Sequence, residues 1–332
     1  MSAVPVVIAG LGPVGRLCAK FALRRPDLNM AAAVDINPEY SGRDLGEVLE
    51  VGRLGVTIEA RLEQALARAE KGVVILCTGS YLESVAPQIM TCLQAGWRVV
   101  STCEQLAYPF KSAPQASAQI DEAARKAGLA VLGTGVNPGF TMDALPALLT
   151  SVTSRVDSIL VERFQDASLR RLPFQQKIGA GLTLAEFEDQ VAEGRIRHVG
   201  FAESAELLAA ALGVELEKIE ERVWPVMAAR ELRSQFMEIK PGLVCGVNQV
   251  CQGFSRGRAV ITLNLQAYFG HPDPKDRVFI QGEPSIESLI KGGVAGDSAT
   301  CAITINAVPR LFQARPGLRT MLDVGLTSGR LW

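Results

Sequence analysis

Apolar and polar positions along the first half of the chain alternate between two periods. Residues 4–9 form a continuous apolar run that stops at Gly10. Beyond it, Val14, Leu17, Cys18 and Phe21 recur at helical spacing. A second apolar run, residues 30–34, ends on Asp35. Helical patterns over residues 62–69, 82–95 and 116–127 then alternate with strand-like runs at 73–77, 98–101 and 129–133. This alternation predicts an α/β fold with a doubly wound parallel sheet. Such sheets bind ligands outside the carboxyl ends of their strands. Three segments that each follow a strand therefore stand out: Thr78-Gly79-Ser80, Thr102-Cys103-Glu104 and the stretch from Gly133 to Phe140.

The pattern changes after about residue 150. A strand is expected at 156–163, short amphipathic helices at 184–191 and 205–212, and long strands at 242–250 and 258–269. Ser255-Arg256-Gly257 suits a hairpin between the last two. Residues 278–282 read as a further strand. The expectation is an α+β domain on a mostly antiparallel sheet, residues 141–297. Gly292, Gly293 and Gly296 then precede an apolar helical run at 299–312. A C-terminal helix, 298–332, is expected to rejoin the first domain, residues 1–140.

Composition narrows the class. Of 332 residues, 48% are hydrophobic, enough for two domains with large cores. Lys and Arg number 34 against 35 Asp and Glu. That balance gives no support for binding nucleic acid or an anionic membrane. No apolar stretch is long enough to span a bilayer, and no signal peptide is expected ahead of the first strand. Seven cysteines without C-x-x-C spacing read as buried free thiols of a cytoplasmic protein. Two distant histidines give no metal site.

The run Gly10-Leu11-Gly12-Pro13-Val14-Gly15 has the G-x-G-x-x-G spacing between a strand and a helix. Gly10 permits the tight turn, Gly12 admits a pyrophosphate, and Gly15 lets helix and strand pack closely. Asp35, twenty residues past Gly15, can accept hydrogen bonds from an adenosine ribose diol, which favours NAD(H). Arg43 is the nearest cation for the extra phosphate of NADP(H), so dual use is open.

Glu104 is the lead candidate for proton transfer, because it falls where a cofactor's reactive ring belongs. A glutamate there also serves as an ordinary helix cap. Asn137-Pro138-Gly139-Phe140 reads equally as a strand-to-helix turn and as a nicotinamide and substrate contact. His198 lies in a turn between helices, where it either meets substrate or is structural. His271 falls in an exposed-looking turn with no assigned role. Arg170, Arg171 and Lys177 form a basic cluster, either solvated or reading a substrate carboxylate.

Several of these segments resemble one family. They are Glu104-Gln105-Leu106-Ala107-Tyr108-Pro109, the run from Gly133 to Phe140, Phe187-Glu188 with Gly194, and the run from His198 to Ser204. Asn306-Ala307-Val308-Pro309 and Pro316-Gly317-Leu318 complete the set. The chain resembles the 2,4-diaminopentanoate dehydrogenase-like group, which includes native amine dehydrogenases and is related to dihydrodipicolinate reductase. The resemblance implies a homodimer whose α+β domain supplies the dimer sheet. It implies NAD(P)-dependent oxidative deamination of an amine, or reductive amination of a ketone or aldehyde with ammonia. The catalytic glutamate maps onto Glu104, and pocket residues onto Asn137, Phe140 and His198. Cofactor contacts are expected at Gly10, Gly12, Pro13, Val14, Gly15, Asp35, Thr78, Gly79, Ser80 and Asn137.

The chain departs from the family over residues 164–179. Phe174 stands near the position of an aromatic pocket residue, and Lys177 brings charge to the substrate region. The paired histidines and K-x-x-x-S-G-T segment of dihydrodipicolinate reductases are absent. Two other readings carry the same cofactor: an imine or carbonyl reductase, and a non-enzymatic dinucleotide sensor.

Overall fold

The computed structural model describes residues 3–330. The chain divides into two compact units, residues 1–140 with 295–332, and residues 141–294.

The first unit is built on a parallel sheet. Its strands are β1 (Val4–Ala9), β2 (Leu28–Val34), β3 (Ile58–Glu59), β4 (Val73–Leu76), β5 (Arg98–Ser101) and β6 (Ala130–Gly133). They lie in the order β6-β5-β4-β1-β2-β3, all parallel. β4 and β6 are buried at every position, as strands covered on both faces must be. The sequence order reverses beside β1, so the carboxyl ends of β1 and β4 form the topological switch point.

The expected helix 298–332 needs correction. The helix is Gly296–Gln313, and the chain then returns as strand Gly317–Arg319, parallel to β6 at the sheet edge. Pro316 cannot continue a helix, and Gly317 takes a φ of 126°, a conformation strained for other residues. The last two residues of the expected helix lie outside the described residues.

The second unit carries a mixed sheet. Its long strands are β7 (Arg155–Asp166), β8 (Lys218–Met227), and, past a minor hairpin of β9 (Leu232–Arg233) and β10 (Glu238–Ile239), β11 (Val244–Ser255), β12 (Arg258–Tyr268), β13 (Lys275–Glu283) and β14 (Ile286–Lys291). The order is β14-β13-β7-β12-β11-β8. Only β7 and β12 pair in parallel; the other neighbours are antiparallel. β11 and β12 meet at the expected hairpin, where Arg256 and Gly257 both have positive φ.

One face of this sheet is core. Ile261, Leu263, Leu265 and Ala267 alternate inward along β12, beside Ile159 and Val161 of β7 and Val278 and Ile280 of β13. Helix Phe201–Leu212 covers them with Phe201, Ala205 and Leu208. Two inward positions are charged. Arg163 and Asp276 pair at 2.7 Å with both side chains buried, and both also bond the backbone of Val294. Unpaired, either charge would cost several kcal/mol of desolvation, on the order of 3–5 kcal/mol.

Candidate functional site

In the first unit, the groups singled out from sequence gather at the carboxyl ends of the parallel strands. β1 ends into Gly10, whose φ is 89°. A Cβ on Gly10 would sit 2.7 Å from the Cys77 carbonyl oxygen, and one on Gly15 only 1.8 Å from the Gly10 oxygen. Neither position admits a side chain. Gly12 differs: a Cβ there would meet nothing within 4 Å. That open space is what a close-approaching ligand needs. Gly12 caps the helix Pro13–Leu23, and Pro13 occupies its first turn, where no N–H is required. The first-turn N–H groups of Val14 and Gly15 lack acceptors within the helix and suit an anion.

Asp35 follows β2. Its Oδ2 accepts the Leu11 N–H at 2.5 Å and its Oδ1 the Asn37 N–H at 2.7 Å. A carboxylate has about four acceptor sites, so roughly two remain for a ribose diol. Thr78, Gly79 and Ser80 follow β4. Thr78 Oγ1 bonds Gln88 Oε1 at 2.9 Å, and the Ser80 carbonyl accepts the Gln105 N–H at 3.2 Å. The chain's glycine turn, the helix N–H groups and a carboxylate with acceptor capacity to spare thus fit a dinucleotide.

Glu104 follows β5. The Ser101 hydroxyl donates to the Leu76 carbonyl and accepts the Cys103 N–H, which turns the chain sharply after the strand. Glu104 then precedes a short 3-10 turn, Gln105–Ala107, and is half-buried. Gln105 Oε1 accepts the Leu82 N–H at 2.7 Å, tying this turn to the helix after β4. Asn137 follows β6 through a cis peptide to Pro138 and is buried. Gly139 has a φ of 122°, and a Cβ there would lie 2.4 Å from the Gly135 nitrogen. Half-buried Phe140 ends this unit.

In the second unit, Phe174, Lys177 and His198 line one small cleft. Ile178, Ile196, Val247 and Leu265 supply its apolar wall, and Arg197 a second cation. Phe174 and Lys177 lie on the short helix Leu172–Lys177, begun by Pro173 in its first turn. The Arg170 guanidinium stacks 4.1 Å from the Phe174 ring centroid. The His198 ring packs edge-on against Phe201 at 5.3 Å.

Sequence reading missed the support beneath His198. Gln249 is fully buried on β11. Its Oε1 accepts the His198 N–H at 2.7 Å, and its Nε2 donates to the His198 carbonyl and to Glu221 Oε1, both at 3.0 Å. Glu221 lies 3.6 Å from the Arg197 guanidinium. Burial pushes the Glu221 carboxyl above its usual range; Arg197 opposes that shift and Glu203 adds to it. The available signal was the strand phase, because Gln249 occupies the inward row with Val247 and Cys251.

His271 corrects the expectation of exposure: it is 7% exposed. Its ring lies 4.4 Å from Tyr268 and 5.2 Å from Phe164. Nδ1 accepts the Asp273 N–H at 3.1 Å, so in the neutral ring Nε2 carries the proton that reaches Gln266 Oε1 at 3.0 Å. Burial holds this imidazole below the usual histidine range. All seven cysteines are free; Cys77 is only half-buried, the other six buried. Among the described residues, no cluster of His, Cys, Asp or Glu is arranged to hold a metal, and no helix is long and apolar enough to cross a membrane.

Residues 140–330 match the family model of the 2,4-diaminopentanoate dehydrogenase C-terminal domain. Residues 4–133 match that of the dihydrodipicolinate reductase N-terminus. The chain is 30% identical to a 2,4-diaminopentanoate dehydrogenase from Acetoanaerobium sticklandii, over 98% of this chain and 94% of that protein. It is 28% identical to an amine dehydrogenase from Streptomyces virginiae, over 99% and 98% of the two chains. Among solved structures, an amine dehydrogenase from Mycobacterium smegmatis shares the fold. Its TM-score is 0.88 at 23% identity, covering 99% of this chain and 98% of that one.

Proposed function

The chain belongs to the 2,4-diaminopentanoate dehydrogenase family, and on that premise we propose that it is an NAD(P)-dependent amine dehydrogenase. The reading rests on kinship at 30% identity across 98% of the chain. It takes a small amine to the ketone or aldehyde and ammonia, or runs the reverse.

The glycine turn, the Val14 and Gly15 N–H groups and the Thr78–Ser80 loop hold the dinucleotide phosphates, while Asp35 accepts from the adenosine ribose. Asn137 orients the carboxamide end. The bound nicotinamide supplies the hydride.

The remaining chemistry is proton movement at Glu104. In the aminating direction the Glu104 carboxylate takes a proton from ammonium. Free ammonia then adds to the carbonyl carbon: a C–N bond forms, the carbon–oxygen π bond breaks, and a proton passes from nitrogen to oxygen to give the carbinolamine. Protonated Glu104 returns the proton to the departing hydroxyl, which leaves as water. The ionised carboxylate next stabilises the positive substrate iminium electrostatically. A positioned acid–base group of this kind contributes on the order of 10²–10⁴ in rate. In the second unit's cleft, Phe174 and His198 contact the substrate, and Lys177 adds a positive charge.

The open face of the second unit's sheet is the proposed homodimer surface. Trp224 and Leu289, at opposite edges, are exposed, and Leu160 and Phe279 between them are only half-buried. Sedimentation velocity is expected to read a dimer, and a monomer at micromolar concentration would overturn that assignment. The cytoplasm is the compartment in keeping with seven thiols and no disulfide.

The test of the activity is NAD reduction by a panel of small primary amines, with released ammonia measured in parallel. Equal amounts of NADH and ammonia support the reading. NADH without ammonia refutes it.

A further inference from the structure

We propose that Gln249 is a positioning residue that fixes His198 at the mouth of the cleft. The inference rests on the reading that His198 meets the substrate.

Residues 197–200 belong to no strand or helix. The preceding turn is held by Arg195 and Ile196, whose N–H groups both reach the Gln190 carbonyl. The helix that follows begins after Gly200, which has a φ of 102°. Between these anchors, the side chain of Gln249 bonds both backbone polar groups of His198. Gln249 offers its amide as a strand would offer a peptide group: one acceptor for the His198 N–H, one donor for its carbonyl.

The orientation of that amide is determined. Turning it over would set an NH2 group against the His198 N–H and an oxygen against two acceptors, the His198 carbonyl and Glu221. The second Nε2 proton goes to Glu221, which itself faces Arg197. One buried amide therefore serves two polar residues of the cleft, His198 directly and Arg197 through Glu221.

The location makes a purely packing role a poor explanation. The flanking inward residues of β11 are Val247 and Cys251, and Gln249 is 0% exposed. A buried amide costs free energy unless it is fully bonded. A leucine or methionine would fill the same row without that requirement. The amide's bonds go to the segment carrying His198 and to the carboxylate behind Arg197.

The experiment compares wild type with Gln249→Met, His198→Ala and the double variant, using the carbonyl substrate best turned over with ammonium. Gln249→Met is expected to raise KM about tenfold with little change in kcat. The double variant is expected to be no worse than His198→Ala alone, as for residues acting through one another. Independent, multiplying losses would overturn the inference. A wild-type KM in Gln249→Met, with His198→Ala impaired, would overturn it while leaving the reading of His198 intact. An unimpaired His198→Ala would remove both.

A second readout needs no turnover. The chain has two histidines, so the two imidazole Cε1–H proton signals are readily distinguished with a His271→Gln variant. Gln249→Met is expected to shift or broaden the His198 signal and leave that of His271 in place. An unmoved His198 signal would overturn the inference. Movement of both signals would indicate general loosening and overturn it as well.

Discussion

The carboxylate of Asp35 accepts the N–H of Leu11 at 2.5 Å, joining the residue that follows β2 to the turn that follows β1. Asp35 therefore shapes the turn and keeps acceptor capacity for a ligand. Asp35→Ala is expected to weaken NADH binding about tenfold or more, the scale of losing hydrogen bonds to a charged group. NADPH should lose less, because the carboxylate also repels a 2′-phosphate. Fluorescence titration of both cofactors measures the ratio. Equal losses would mean that Asp35 only shapes the turn.

Glu104 precedes the 3-10 turn without a side-chain cap, so its loss costs the turn no capping bond. Glu104→Gln is expected to lower kcat by about 10²–10⁴ while NADH affinity stays within roughly twofold. A variant retaining a tenth of the wild-type rate would take Glu104 out of the proton path.

Lys177 is exposed and forms no ion pair among the described residues, whereas Arg197 beside it faces Glu221. Its charge is thus available to an anionic substrate. Lys177→Met is expected to raise KM about tenfold for a keto acid and little for the neutral ketone of equal length. Equal effects on both would remove the charge reading.

His271 sets a pH dependence of stability. Its folded pKa is depressed, so folding favours the neutral ring. For such a base, the stabilisation is present above the unfolded value near 6.5 and is lost as pH falls through the folded pKa. Glu221 has the opposite sign: its folded pKa is raised, so its contribution is lost as pH rises. Comparing wild type with His271→Gln isolates the histidine. The difference in Tm between pH 7.5 and pH 5 is expected to be larger in wild type. An equal difference would contradict the buried-imidazole account.

What could be read from sequence was local. The strands at 98–101 and 73–77 announced themselves as short apolar runs, and the structure has them as β5 and β4. The hairpin at Arg256 and Gly257 was visible because a tight turn demands special residues. β8 was not, because Glu220, Glu221 and Pro225 interrupt its pattern; as the edge strand it tolerates them. His271 was misplaced because part of its cover comes from Phe164 on β7, which no local window joins to it. Gln249 escaped for the same reason: its partners lie on another strand and in a distant turn. Phe174, Lys177 and His198 were nominated separately, and only folding brings them to one cleft.

The central claim is amination, and its most direct measurement is oxidation of NADH and NADPH by small aldehydes and ketones, with and without high ammonium, with the product identified. Oxidation that requires ammonium and yields the primary amine is the predicted result. Oxidation without ammonium, yielding an alcohol, would make the protein a carbonyl reductase. Tight dinucleotide binding with no oxidation under either condition would contradict the account and favour a sensor.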